Sequence, residues 1–249
     1  MNLKTSIWLE EPVEGNEFAP NRSFLFGRDY FSHWVENHSF IALSYLHMTG
    51  KLPTLHQETW LGFLMNLAAN PGIRDESSLA AMSTAIGSPP SVNSVLAGLM
   101  ARGGLNRGAR WIEKVMENLL KSRESDFSLL EFSPYSGLGK HYGHTDQRAR
   151  AAMIFLKREQ CWGQFCQFLE DNSTPDCEIL LEGIIAAGLL DLAISPAGGA
   201  VLFLIAAGPA LAAYALEQQN LGYKKFPSYF DSGHYFHSEP APEREAEKL

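Results

Sequence analysis

The chain has 249 residues, of which 45% are apolar and 19% charged, enough hydrophobic material for a folded core. Its formal charge of −8, with only short basic pairs such as Lys224-Lys225, excludes the clustered Lys and Arg that a nucleic-acid surface requires. Cys161, Cys166 and Cys177 are odd in number and confined to one stretch. That is no disulfide framework; it points to a reduced, cytoplasmic protein in which these thiols pack as small hydrophobes and no metal is held.

In chain order, the first twenty residues are polar and acidic, with Glu10, Glu11 and Glu14 and no apolar run. They read as an extended arm (residues 1–22) and not as a secretory leader. Helical patterning starts near Asp29, and Phe40, Leu43, Leu46 and His47 share one face of a helix that Gly50 stops. Lys51-Leu52-Pro53-Thr54 turns the chain into a second helix through Leu67, which ends before the breaker Asn70-Pro71-Gly72. Residues 77–87 and 91–100 read as small-residue helices that pack closely on their neighbours. A loop at Arg102-Gly103-Gly104 precedes an amphipathic helix over 107–120, with Arg102 and Arg107 bracketing its start. A polar linker at 121–128 leads to the loop-like stretch 133–139. Helices resume over 146–169 and again over 178–192.

Residues 192–216 carry no charge and are long enough to span a membrane, but Ser195-Pro196, Gly198-Gly199 and Gly208-Pro209 cut them into two short helices. Buried core helices are therefore expected, and no membrane. The tail from Gly222 is aromatic, with Phe226, Tyr229, Phe230, Tyr235 and Phe236, and suits a partner surface. Residues 241–249 have the composition of a disordered end. Period-two alternation is absent throughout, so the expected class is all-α.

Four stretches, taken in order, resemble citrate synthase. Ser39-Phe40-Ile41 through Leu46, followed by Gly50-Lys51-Leu52-Pro53-Thr54, is similar to the family's SF…YLL…G-LPT helix and turn. Residues 80–107, ending in Gly103-Gly104, resemble the helix leading to its HGGA loop. Gly137-Leu138-Gly139 with Asp146-Gln147-Arg148 resembles GxGH…D-R, and Glu182-Gly183-Ile184 resembles VDG at the head of a helix. The segment from Tyr214 to Gln219, with Lys225-Phe226-Pro227 and Tyr229, resembles the tail of the citryl-CoA lyase branch, as in ATP-citrate lyase. The resemblance covers roughly residues 23–235. It implies a citrate synthase-like large helical domain (23–105 and 187–240) with a small helical lobe (106–186), and a homodimer or larger homo-oligomer. It also implies a coenzyme A ester as substrate beside a small acid or ketone, with no bound cofactor.

In that family a carboxylate removes a proton from the carbon beside a thioester, while positive or neutral donors meet the negative charge that develops on oxygen. By position, the catalytic Asp falls on Glu182, a carboxylate on a longer stem, and the GxGH pair falls on Lys140 and His141. The resemblance thus implies Glu182 as base and Lys140 and His141 as donors. Asn70 stands at the family's A-D-H histidine and Arg102 at the HGGA histidine. With Gly137, Gly139, His144 and Arg148 they are the expected substrate and coenzyme A contacts. The family's substrate-gripping Arg falls on Ala207, which offers no donor to a carboxylate. A substrate less anionic than oxaloacetate is therefore expected. Beside this enzyme reading stand two alternatives: a catalytically inactive structural or regulatory subunit, and a module that senses CoA esters without turning them over.

Overall fold

The structure is a computed structural model that describes residues 5–87, 89–124 and 128–226. The residues expected to form an extended arm are instead largely paired. Strands β1 (Trp8–Val13), β2 (Asn16–Leu25) and β3 (Arg28–Asp29) form an antiparallel sheet in that order. Gly15, at φ 81°, sits in the β1–β2 turn, where Val13 pairs with Asn16. Period-two reading misses this hairpin because nearly all of β1 and most of β2 are exposed on both faces. Only its base is anchored. Leu25, Trp34 and Leu46 are buried together, and Trp34 Nε1 donates to Leu25 O at 2.8 Å.

The rest is helical, as the breakers and periodicity require. Helix α1 (Phe40–Thr49) starts at Ser39, whose Oγ accepts from Ala42 N at 3.1 Å, and stops at Gly50 in the left-handed region (φ 71°). Helix α2 (Leu55–Ala68) opens with a capping box in which Thr54 and Gln57 satisfy each other's backbone N–H groups. Helices α3 (Glu76–Ile86) and α4 (Ser91–Arg102) lie close together, since a Cβ on Gly98 would stand 2.9 Å from Ser77 O. Helix α5 (Ala109–Glu124) runs into the expected polar linker. Helices α6 (Gln147–Arg158) and α7 (Gln164–Asp171) follow. Strands β4 (Leu138–Gly139) and β5 (Glu178–Ile179) pair antiparallel, so residues 178–180, expected to be helical, form a strand and a cap before α8 (Leu181–Asp191).

Helix α8 is the axis of the core. All of its residues from Leu181 to Leu190 are buried, in contact with α2, α5, α6, α7 and α9. One buried cluster runs from Tyr45 and Leu61 through Ile112, Met116 and Leu156 to Phe203, so the expected 186/187 boundary falls inside a fully packed helix. Helices α9 (Pro196–Ala206) and α10 (Gly208–Leu221) meet at Ala207. Together they are apolar and long enough to cross a membrane by length and composition. Packing accounts for much of that apolarity. Leu202, Phe203 and Ala206 join the main cluster, while Ala207, Leu211 and Ala215 pack with Ala81 and Ala85 of α3. The expected aromatic tail beyond Phe226 and the expected disordered end lie outside the described residues.

Candidate active site

The head of α8 and the glycine loop before it are built to touch. Leu180 N donates to Gly137 O at 3.1 Å, and a Cβ on Gly183 would stand only 2.2 Å from that same oxygen. Gly137 itself holds φ 80°. This contact seats the loop just before β4 against the first turn of α8, which carries Glu182. Asp146 completes the arrangement. It caps α6, accepts from Leu181 N at 3.2 Å, and takes Arg148 Nε and Nη2 at 3.0 and 2.9 Å. Burial pushes the Asp146 carboxyl upward, but these hydrogen bonds outweigh it and hold the group below its ordinary range.

A cavity of about 590 Å³ opens beside this junction. Its walls come from the 70–76 turn, the end of α4, the 106–107 loop, His141 and Tyr142, Arg148, the head of α8, and Phe203. Glu182 is buried, with Oε1 at 3.4 Å from Arg148 Nη2, while the buried Oε2 has no hydrogen-bond partner. Arg102 is 7% exposed, a rare degree of burial for a guanidinium. Its Nη1 meets Asp75 Oδ2 at 2.8 Å, its plane lies 4.3 Å over the Phe203 ring, and its buried Nε is unpartnered. Burial lowers its pKa and Asp75 opposes that shift; the guanidinium remains a cation. Arg107 donates to His141 Nδ1 and, at 3.2 Å, to Lys140 O, and Arg148 Nη2 lies 3.3 Å from the same Nδ1. Burial first, and then the two arginines, depress the His141 pKa.

No family model matches the chain, and no curated protein matches it either. Solved structures do. Citryl-CoA lyase from Hydrogenobacter thermophilus superposes with a TM-score of 0.77 at 23% identity, covering 96% of each chain. The chain has the citryl-CoA lyase fold. ATP citrate lyase from Methanothrix soehngenii, in complex with citrate and coenzyme A, gives 0.69 at 13% identity, over 96% of this chain and 42% of that one. The Methanosaeta concilii ATP citrate lyase in complex with (3S)-citryl-CoA gives 0.68 with the same identity and coverage.

Within this fold, five of the residues singled out from sequence line one cavity: Asn70, Arg102, His141, Arg148 and Glu182. Lys140 does not join them. Its Nζ turns to Pro175 O at 2.6 Å and Glu178 Oε1 at 3.2 Å, because successive residues leaving β4 project to opposite sides and His141 takes the cavity side. His144 is likewise outside the lining. Its backbone exchanges hydrogen bonds with His141 at 2.7 and 3.0 Å, closing a turn through Tyr142 and Gly143. Gly137 and Gly139 shape the loop and do not line the cavity.

Ala207, from which a weakly anionic substrate was expected, is fully buried among alanines and leucine and is not a cavity residue. The cavity is rich in cations all the same, with Arg74, Arg102, Arg107 and Arg148 in its walls. Sequence reasoning passed over Arg74, Asp75 and Phe203 and gave Arg107 only a helix-start role; an Arg on each side of the Gly103-Gly104 loop was the available signal. Among the described residues no group of three His, Cys, Asp or Glu side chains gathers as a metal site.

Proposed function

We propose that this chain is an acyl-CoA enzyme that makes or breaks a carbon–carbon bond next to a thioester, with Glu182 as its base. One observation carries the reading. A buried carboxylate, held on one oxygen by Arg148 and unpartnered on the other, lines a cavity whose other charged side chains include four arginines. In the condensing direction the Glu182 carboxylate takes a proton from the carbon beside the thioester. That carbon attacks a ketone, and the resulting alkoxide takes the proton back from the Glu182 carboxyl. In cleavage the same carboxylate takes the hydroxyl proton, the carbon–carbon bond breaks, and the Glu182 carboxyl returns that proton to the acyl-CoA carbanion equivalent. Negative charge accumulates on oxygen either way, and the Arg102 and Arg148 guanidinium groups in the cavity wall meet it.

The cations also revise the substrate class. A carboxylate-bearing acyl-CoA, of the kind citryl-CoA exemplifies, suits this cavity better than a neutral ketone does. Support comes from the fold neighbours, whose complexes contain citrate with coenzyme A, or (3S)-citryl-CoA. Three free thiols suit a reducing compartment. A homodimer is part of the proposal, because Val92, Leu96 and Met100 form an exposed apolar stripe along α4 at four-residue spacing. A second reading, binding of CoA esters without turnover, draws on Lys140 being engaged by Pro175 O and Glu178 and on His144 lying outside the cavity lining.

The deciding experiment incubates the chain with citryl-CoA, and separately with acetyl-CoA and oxaloacetate, and follows products by mass spectrometry. Turnover that disappears in Glu182→Gln supports the enzyme. Saturable binding with no product would hand the case to the second reading.

A further inference from the structure

The loop between α4 and α5 is wound tightly and carries an arginine in an unusual conformation. Arg107 holds φ 55°, a region that costs a non-glycine residue on the order of 1 kcal/mol. Gly108 beside it has no room for a side chain, since a Cβ would lie 2.3 Å from Arg102 O and 2.6 Å from Gly104 O. The effect is to project the Arg107 guanidinium onto the 140–142 segment. It donates to His141 Nδ1 and to Lys140 O, and lies 5.7 Å over the Tyr142 ring, which itself meets His141 edge-on at 4.7 Å. From α6, Arg148 Nη2 approaches the same Nδ1 at 3.3 Å.

Guanidinium groups can only donate hydrogen bonds and do not deprotonate in proteins. The ring atom that two of them approach must therefore present a lone pair. We infer that Arg107 and Arg148 fix His141 as a neutral imidazole with its proton on Nε2, which makes it a standing hydrogen-bond donor to a ligand oxygen and not a proton-transfer group. Rotating the ring to bring a carbon or an N–H to that position would leave both guanidinium donors facing a group that cannot accept. The charges facing His141 are Arg107 from the α4–α5 loop, Arg148 from α6, Asp146 at its cap and Glu182 from α8. The two cations are the ones in hydrogen-bond reach of the ring, while the two carboxylates are shared with Arg148. The depressed pKa of His141 agrees with that balance.

The assignment deepens the proposed function. A neutral donor polarises a carbonyl oxygen without surrendering its proton, leaving proton removal to Glu182. Arg107 is then a positioning residue, acting through His141.

The test is nitrogen-15 NMR of histidine-labelled, unliganded chain, with His141→Asn identifying the signal among the eight histidines. The expected result is an unprotonated Nδ1 and a protonated Nε2, unchanged between about pH 6 and 8 around the ordinary imidazole pKa. Arg107→Gln should release the ring into a tautomer mixture and move its titration upward, and Arg107→Lys, which keeps a charged donor, should restore part of the lock. A wild-type His141 protonated on Nδ1, or on both nitrogens at pH 7, overturns the inference. Because no substrate is present, a failure of citryl-CoA turnover bears on the proposed function and not on this result.

Discussion

Replacing Gly183 with alanine drives a methyl group into the backbone of the glycine loop. The new Cβ would stand 2.2 Å from Gly137 O, 2.9 Å from its carbonyl carbon and 3.0 Å from its Cα. Ordinary carbon contacts sit at about 3.5–4 Å, so the loop must withdraw by roughly 1 Å. It has little space to do so, because a Cβ on Gly137 would already meet Val115 at 3.1 Å and Leu169 at 3.2 Å. Overpacking of this kind costs about 1–3 kcal/mol, and loss of the Leu180 N to Gly137 O bond adds about 1. Alanine's better helix propensity returns up to about 1 kcal/mol. The net expectation is a loss of about 1–3 kcal/mol, which lowers Tm by roughly 2–4 °C per kcal/mol in a chain of this size. Gly62→Ala is the control. Its Cβ would meet nothing within 4 Å in the middle of α2, so it should gain about 0.5–1 kcal/mol. Urea and thermal unfolding followed by far-ultraviolet circular dichroism measure both. If Gly183→Ala is as stable as wild type, the loop does not rest on α8 as described.

Two other expectations concern charge and assembly. Asp146 has a folded-state pKa below its ordinary 3.8, so the stability it confers is fully present above that value and is lost as pH falls through the lower folded one. Asp146→Asn should be less stable than wild type at pH 7, with a flatter decline below about pH 4 in acid titrations of unfolding; an unchanged profile would remove Asp146 from its role. Leu96→Glu sets a charge in the exposed α4 stripe and should convert a dimer to a helical monomer by sedimentation velocity, whereas a monomeric wild type would end the dimer proposal.

The helices were legible because their ends carry local chemistry. Ser39, Thr54, Gly50 and the Asn70-Pro71-Gly72 breaker act within a few residues of where they stand. The N-terminal hairpin was not legible, since an exposed ribbon has no buried face to impose alternation, and Glu14-Gly15-Asn16 was its sole turn signal. In the cavity, motif order brought out the residues that α4, α6 and α8 carry. It failed at Lys140 by a single position, because a one-residue step leaving a strand reverses the side to which a side chain points. Arg107 escaped for a different reason. Its reach to His141 depends on a positive φ and a tightly wound loop, neither of which a residue pattern displays.

Proton removal at the carbon beside a thioester is what Glu182 is proposed to do, and isotope exchange reads that step directly. Acetyl-CoA incubated with the chain in deuterium oxide, with oxaloacetate or a non-reacting keto-acid analogue present, should take up deuterium at its methyl carbon. Glu182→Gln, folded by circular dichroism, should show none above the buffer rate. Exchange at equal rates in both proteins, or in neither, contradicts a catalytic carboxylate at this position.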